Sequence, residues 1–316
     1  MPQPPSITLV TPSLNGGAFL RAALESVRRQ NDPALEHLII DAHSSDDTPA
    51  IIAEFPEATL IVERGDSHQA MNAGVARAKG EIIGFINTDD ALADGALAHV
   101  RAAFADDASL DAVQGGAAFL DIDRPGSPLC RHVLRAPAGE DLKSALVYLA
   151  TGFNAWFFRR EAIDRLGGFN TGYSYSADRE FLIRCAARQR VSALPQVIYG
   201  YRMHPSSRTM GGNAATVAGW VQEHLRLAAR LKADATDDTG RRLAERFEAF
   251  ERARLALYRA RAGSPMGAGG ELAGRVLSNP LWVSRFVSSL SERSRLYRLY
   301  LDRAPVLDVK ALFPSL

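Results

Sequence analysis

An apolar run, Glu81-Ile82-Ile83-Gly84-Phe85-Ile86, stops abruptly at Asn87-Thr88-Asp89-Asp90. Such a run reads as a buried strand, and this one delivers two adjacent carboxylates at its carboxyl end. Like charges side by side repel, and each resists leaving water. A divalent cation relieves both costs, because Mg2+ and Mn2+ take oxygen ligands, often one or two carboxylates plus substrate phosphates. The alternative is that Asp89 or Asp90 caps the next helix. Asp94, directly before Gly95-Ala96-Leu97-Ala98, fills that role better. The chain is thus expected to fold around strands whose ends gather acidic side chains.

The segments before that run alternate between strand and helix signals. Ser6 to Val10, His37 to Asp41 and Thr59 to Val62 read as strands. Ala18 to Gln30, Thr48 to Phe55 and Gln69 to Ala78 read as helices, the last stopped by Gly80. Uninterrupted apolar strands suit a sheet covered on both faces. Strand–helix repetition implies a parallel, doubly wound sheet whose ligands bind at the carboxyl ends of its strands. Beyond it the pattern becomes mixed. Asp111 to Leu120 and Val133 to Arg135 look like strands, Gly167-Gly168-Phe169 marks a turn and Ala177 to Arg188 a helix. Val191 to Arg202 is a strand broken at Pro195. After Gly211-Gly212-Asn213 the chain is almost wholly helical: Thr216 to Ala233, Arg241 to Arg261, a Gly-rich linker from Gly263 to Gly270, and a last helical part from Glu271 to Arg303.

Composition removes several function classes. A chain of 316 residues, 47% hydrophobic, can bury a large core, and its length suggests about two domains. A net charge of +1 gives no support to electrostatic nucleic-acid binding. Cys130 and Cys185 lie far apart, outside any CxxC and without clustered histidines, so a reducing compartment is the default. The start, Met1-Pro2-Gln3-Pro4-Pro5, has neither the basic nor the apolar region of a signal peptide. No apolar stretch approaches the ~18 residues of a membrane span. The expectation is a cytoplasmic protein, with peripheral contact at the inner face of a membrane left open.

The first strand runs into Thr11-Pro12-Ser13-Leu14-Asn15-Gly16-Gly17, and the second ends in Asp41-Ala42-His43-Ser44-Ser45-Asp46-Asp47-Thr48. Both loops leave the same sheet edge as Asp89-Asp90. Carboxylates, hydroxyls and backbone amides meet there, beside helix N-termini that favour an anionic ligand. Together they suit a nucleotide diphosphate bridged by a metal.

Thr-Pro-Ser-x-Asn-x-Gly after strand one, Asp-x-x-Ser-x-Asp after strand two and Asn-x-Asp-Asp after strand four resemble family-2 glycosyltransferases of the GT-A fold. The resemblance continues through Phe157-Phe158-Arg159-Arg160, Gly167-Gly168-Phe169, the stretch Ser176 to Arg184, and Tyr201-Arg202-Met203-His204-Pro205. Each motif is weak; their order and spacing over residues 6 to 210 are specific. The resemblance implies an α/β fold with a Rossmann-like mixed sheet, mostly parallel and flanked by helices. It implies a catalytic domain over 1–210 and a C-terminal helical extension over 211–316.

Residue by residue, the resemblance makes Asp41 the acidic contact to the nucleotide base or ribose. Asp89 and Asp90 become the ribose- and metal-binding motif, with Asp90 in direct contact with the metal (Mn2+ or Mg2+). Asp178 becomes the general base. Arg202 and His204 lie where the chain closes over the diphosphate, His204 also reaching the metal. Thr11, Pro12, Ser13 and Asn15 join the donor site, as do Asp66 and Gln69 beside His68. Asn154, Trp156 and Tyr173, near Phe153, fall on the acceptor side. Simpler readings stand beside these: Asp41 could cap its loop and Asp178 its helix, Glu180 reads as a solvated or salt-bridged helix residue, Arg184 as the partner of a carboxylate, and a lone histidine is often structural. The family often has an aromatic residue where Leu14 stands, which concerns base stacking, and the segment Glu63 to Gln69 is shorter than the usual Gly-Gln loop.

The implied reaction is inverting transfer from a nucleoside-diphosphate sugar to a hydroxyl of a saccharide or lipid-linked saccharide, in surface polysaccharide assembly. An inactive nucleotide-sugar binding module is disfavoured by the presence of Asp41, Asp89, Asp90 and Asp178 together. A sugar nucleotidyltransferase is disfavoured because Thr11 to Gly17 lacks Arg and Lys. An NAD dehydrogenase would need Gly-x-Gly-x-x-Gly after strand one. In the helical tail, Pro280 to Val287 and Arg293 to Tyr300 mix aromatic, aliphatic and Arg residues. Such a helix lies on an anionic membrane, or packs on the catalytic domain or a second subunit with its Arg stems snorkelling to water.

Overall fold

A computed structural model describes residues 4–121, 129–149, 153–207, 214–261, 281–303 and 305–316, with a few positions between 270 and 279. The first half is the expected alternation: β1 (Ile7–Ser13), α1 (Gly17–Arg28), β2 (Leu35–Asp41), α2 (Thr48–Ala53), β3 (Ala58–Val62), α3 (Ser67–Arg77) and β4 (Ile82–Phe85). β4 pairs in parallel with β1, β1 with β2, and β2 with β3. Ile7, Leu9 and Ile82 pack into one core layer, while Val10, Leu38, Ile40, Ile83 and Phe85 pack into another. Successive strand residues face opposite sides, so covering both faces accounts for the unbroken apolar runs. At Gly84 a Cβ would stand 2.4 Å from Cε1 of Phe157, so only glycine lets that ring lie against β4.

The sheet then becomes mixed. β5 (Ala91–Leu92), α4 (Ala96–Asp106), β6 (Ala112–Asp121), β7 (Leu129–Leu134), α5 (Asp141–Tyr148), a 3-10 turn (Phe153–Ala155), β8 (Trp156–Arg159), α6 (Arg160–Leu166), α7 (Ala177–Arg188) and β9 (Val191–Met203) follow in order. β8 pairs antiparallel to both β4 and β6. β9 runs parallel to β6 and antiparallel to β5. Its register jumps between Gln114 and Gly116 of β6, opposite Ala193 and Val197. The expected break at Pro195 is therefore an irregularity within one strand, as a residue without an amide N–H requires.

α8 (Ala214–Ala233), α9 (Asp238–Arg261) and α10 (Leu281–Tyr300) form the helical region; the Gly-rich linker lies largely outside the described residues. α8 packs on α9, and α10 on α9 and α5. The chain returns to the sheet: β10 (Leu301–Asp302) pairs with β7. α11 (Val309–Leu312) is followed by Phe313, which packs with Ala91, Ala93, Ala118 and Leu120 beneath β5.

One expected cap is corrected. The residue preceding α4 is Gly95, left-handed at φ 75° and without a side-chain bond. Asp94 instead pairs with Arg29 at 2.5 Å, drawn away from the helix end by the guanidinium.

Candidate active site

Three loops interlock at the carboxyl edge of β1, β2 and β4. The amide of Asn15 donates to Ser44 Oγ (2.7 Å), the amide of Ser45 to Asn15 Oδ1 (2.9 Å), and the amide of Gly17 to Asp46 Oδ2 (2.9 Å). Asn15 and His43 adopt positive φ, 50° and 63°, a conformation that Asn and His tolerate better than most residues. At Gly16 a Cβ would lie 2.8 Å from Cβ of Thr88, so the first loop closes directly on the acidic turn. The sequence's expectation of one shared edge describes these contacts.

Adjacent carboxylates in that turn have opposite surroundings. Asp90 is 0% exposed. Tyr199 Oη donates to its Oδ2 at 2.6 Å, Asn87 Nδ2 to the same oxygen at 3.0 Å, and the Arg202 amide to Oδ1 at 3.0 Å. Burial, and then the charge of Asp89, push its carboxyl up to about 7. Asp89 is 27% exposed and meets His204 Nε2 at 3.1 Å. Asp90, the expected direct metal contact, has both oxygens hydrogen-bonded within the protein, with two of the three donors on β9. Asp89 is the partly exposed carboxylate of the turn, and the His204 it meets is buried.

Arg202 and His204 are braced from below. Arg202 donates through Nε to the carbonyl of Asp89 and through Nη2 to that of Phe19 at 2.8 Å. His204 Nδ1 bonds Ser206 Oγ at 2.8 Å, and its ring lies 4.2 Å from that of Phe19. Burial lowers the Arg202 pKa from its ordinary value, while Asp90 and Asp89 oppose the shift. Sequence reasoning read Phe19 only as part of the helix Ala18 to Gln30 and overlooked Tyr199. A tyrosine three residues before Arg202 on the same strand was the available signal.

The remaining expected residues divide by environment. Asp41 is buried at the end of β2, and both its oxygens accept from Ser44, the amide at 2.8 Å and the hydroxyl at 2.5 Å. Its hydrogen bonds are those of the loop-capping alternative. Thr11 is buried against His37 Nε2 at 2.9 Å, and Pro12 shares its strand. Ser13, paired in register with Asp41, holds a buried Oγ without a protein partner. Asp66 and Gln69 close a capping box on α3, Asp66 accepting from two amides and Gln69 Oε1 from the Asp66 amide. Leu14 is 60% exposed.

Asp178 sits in the first turn of α7, after Ser176 at the cap position, and its Oδ1 accepts the neighbouring Arg179 amide at 2.7 Å. Ser176 makes no side-chain cap bond, so the bond of Asp178 is the one that meets a first-turn amide. Glu180 is fully buried between Arg184 (2.8 Å) and Arg230 (2.9 Å), the salt-bridged rather than the solvated reading. Asn154 lies in the 3-10 turn, which packs against β4, β6, β9 and α7. The buried Oδ1 of Asn154 and Nε1 of Trp156 have no protein partner, and neither does Oε1 of Gln114, the strand neighbour of Trp156. Gln114 was missed because it reads as one more strand residue. Trp156 itself is core, stacked on Phe158. Tyr173 is buried with the Arg226 guanidinium 5.0 Å over its ring.

Among the described residues no group of three or more His, Cys, Asp or Glu converges as a metal site. Asp89 and His204 together offer two ligands of the oxygen and imidazole types that suit Mn2+. Such a cation takes its remaining ligands from water and substrate phosphate, so the pair fits a metal bound together with its nucleotide. No described helix is long and apolar enough to cross a membrane, and both cysteines are free.

Comparison with known proteins agrees with this geometry. The chain is 30% identical over 188 residues to a PGL/p-HBAD biosynthesis glycosyltransferase of Mycobacterium tuberculosis, covering 57% of this chain and 70% of that protein. It is 28% identical over 239 residues to the O-antigen biosynthesis protein RfbC of Myxococcus xanthus, covering 70% of this chain but 18% of that protein. The fold matches S. aureus TarS 1-349 in complex with UDP-GlcNAc at TM-score 0.60 and 17% identity, over 93% of this chain and 84% of that one. It also matches mannosyltransferase PcManGT from Pyrobaculum calidifontis in complex with GDP-Man and Mn2+, at TM-score 0.56 and 21% identity, over 94% and 88%. These likenesses show a shared GT-A architecture. Residues 8–167 match glycosyl transferase family 2, and the chain belongs to that family.

Proposed function

We propose that this glycosyltransferase moves a sugar from a nucleoside-diphosphate donor to a hydroxyl of a saccharide or lipid-linked saccharide, inverting the anomeric carbon, in surface polysaccharide or glycolipid assembly. The observation that carries the reading is the partly exposed Asp89, paired at 3.1 Å with the buried His204 and set beside three interlocked loops. The mycobacterial and myxobacterial relatives support the product class. The ligands of the two structural neighbours support a nucleotide sugar and Mn2+.

In this reading Asp89 and His204 hold the cation, while Asp90 serves as their buried support. Bound there, a divalent ion supplies Lewis-acid neutralisation of the departing diphosphate. Ser13, Asn15 and Asp41 line the nucleotide side, with Asp66 and Gln69 at its margin. Asp178 accepts the proton of the acceptor hydroxyl as that oxygen bonds the anomeric carbon and the bond to the diphosphate breaks. An aspartate is a weak base in water, with a pKa of about 3.9, but the hydroxyl becomes acidic as it attacks. One base opposite one leaving group gives a single displacement, hence inversion. Asn154 and Tyr173 border the acceptor, while the buried Trp156 and Gln114 support that side from the core.

The test is a thermal-shift panel of UDP-GlcNAc, GDP-mannose, UDP-glucose and dTDP-glucose, with and without Mn2+. At least one donor should raise the melting temperature in a Mn2+-dependent way, and Asp89→Ala should abolish that shift. No shift with any donor, or full retention of it in the variant, overturns the proposal.

A further inference from the structure

The residues immediately before Asp178 form no regular structure, yet they are held from the helical region. Glu223 of α8 is 5% exposed. Its Oε1 accepts the amide of Ser174 at 2.7 Å, and its Oε2 the amide of Tyr175 at 2.9 Å. A buried carboxylate is costly unless donors meet it, and here two consecutive amides of a loop 48 and 49 residues away in sequence do so. Neighbours on α8 complete the grip. At Gly219 a Cβ would stand 2.7 Å from Cε2 of Tyr175, so the ring rests on the helix backbone. Trp220 meets the same ring edge-on at 6.2 Å. Arg226 covers Tyr173 at 5.0 Å and reaches the Gly172 carbonyl at 3.4 Å.

A second buried carboxylate, Glu251 of α9, acts on the residue that follows Asp178. It bonds His224 Nδ1 at 3.0 Å and pairs with Arg254 at 3.2 Å. Its charge also acts on the buried guanidinium of Arg179, the residue after Asp178, which donates to the carbonyls of Val147 (2.8 Å) and Leu149 (3.2 Å). The turn that precedes Asp178 is therefore held by a helix that carries none of the family motifs.

We infer that Glu223 is a positioning residue: by binding the amides of Ser174 and Tyr175 it sets the turn that aims Asp178 and Tyr173 at the acceptor. The helical region thus belongs to the acceptor half of the reaction. This inference rests on the reading of Asp178 as base. A misplacement of about 1 Å costs on the order of a hundred-fold in rate, enough for a distant carboxylate to govern turnover without touching substrate.

The experiment compares Glu223→Ala and Glu223→Gln with wild type in the full chain. Hydrogen exchange is followed at the Ser174 and Tyr175 amides. Consumption of UDP-GlcNAc and GDP-mannose with Mn2+, water serving as acceptor, gives kcat and donor KM. Glu223→Ala should raise exchange at the two amides at least about ten-fold and lower kcat by about ten- to hundred-fold, with donor KM within about two-fold. Glu223→Gln keeps one acceptor oxygen and should fall between. Unchanged exchange in either folded variant overturns the inference, and so does freed exchange with wild-type kcat. Where neither donor is consumed by wild type, exchange alone decides. Asp178→Asn tests the underlying reading separately: if it consumes donor at the wild-type rate the base assignment fails, while the exchange result still reports whether Glu223 holds the turn.

Discussion

The carboxyl edge of the sheet and the helical region place charge in opposite ways. At the edge, the acidic groups come from motifs a few residues long, on loops that bond mainly to one another: Asn15 to Ser44 and Ser45, Gly17 to Asp46, Asp41 to Ser44. In the helical region, Glu223 and Glu251 are buried singly and reach across to segments far away in sequence. The first arrangement orders a set of loops from local geometry. The second fixes the position of a neighbouring element. Short-range bonds shape the edge, and long-range ones orient what lies beside it.

The largest expected effect separates chemistry from scaffold. Asp178→Asn should lower transfer by about a thousand-fold, within the usual range for a positioned base, while donor-induced thermal stabilisation stays at the wild-type value. Transfer kinetics beside a thermal-shift titration check this. Equal loss of both would erase the division between a donor edge and a base on α7.

Glu251→Leu should act on stability first. Removing one partner of a buried ion network leaves charge uncompensated and costs about 3–5 kcal/mol, here at Arg254 and Arg179, while His224, whose pKa burial lowers, loses a hydrogen-bond partner. Urea unfolding measures it, and a loss below about 1 kcal/mol would show that the layer is held by packing alone. Asp90→Ala should be the edge's nearest equivalent. It strands the Tyr199 hydroxyl, the Arg202 amide and Asn87, at about 1–3 kcal/mol. Asp89→Ala, by contrast, should leave urea stability within about 0.5 kcal/mol and remove the Mn2+-dependent donor shift. If Asp90 proved the binding partner and Asp89 the structural one, the assignment of the pair would reverse.

A pH dependence lies under the edge. Burial depresses the His37 pKa to about 4, so the folded protein keeps this imidazole neutral. The unfolded chain takes up a proton below its ordinary pKa of about 6.5. The unfolded state therefore binds more protons between those values. Stability is fully present above about pH 6.5 and declines by about 3 kcal/mol as pH falls toward 4. His37→Gln should flatten that part of the pH–stability curve, and an unaltered slope would assign it to other groups.

Much of the parallel half was legible because its signals are local. Apolar runs with turn residues after them specified β1 to β4, and the helical period set α7 from Ala177 to Arg188, as found. β8, only Trp156 to Arg159, was not read as a strand, because its identity comes from antiparallel pairing with β4 and β6. Two-residue β10 could not be read for the same reason. The acidic motif was visible, but the division of labour within it was not. Asp89 and Asp90 differ through Tyr199 and the Arg202 amide, more than a hundred residues later. Asp94 was taken for a cap because Arg29, 65 positions away, cannot be placed by pattern.

Phe313 lies against β9, where a Cβ at Gly200 would stand 2.8 Å from its ring, and the Asp94 amide donates to the Leu312 carbonyl at 2.9 Å. The strand that follows the acidic motif is thus walled by residues synthesised more than two hundred positions later. A ribosome that has made every motif has still not made the piece that seals the hydrophobic floor under them.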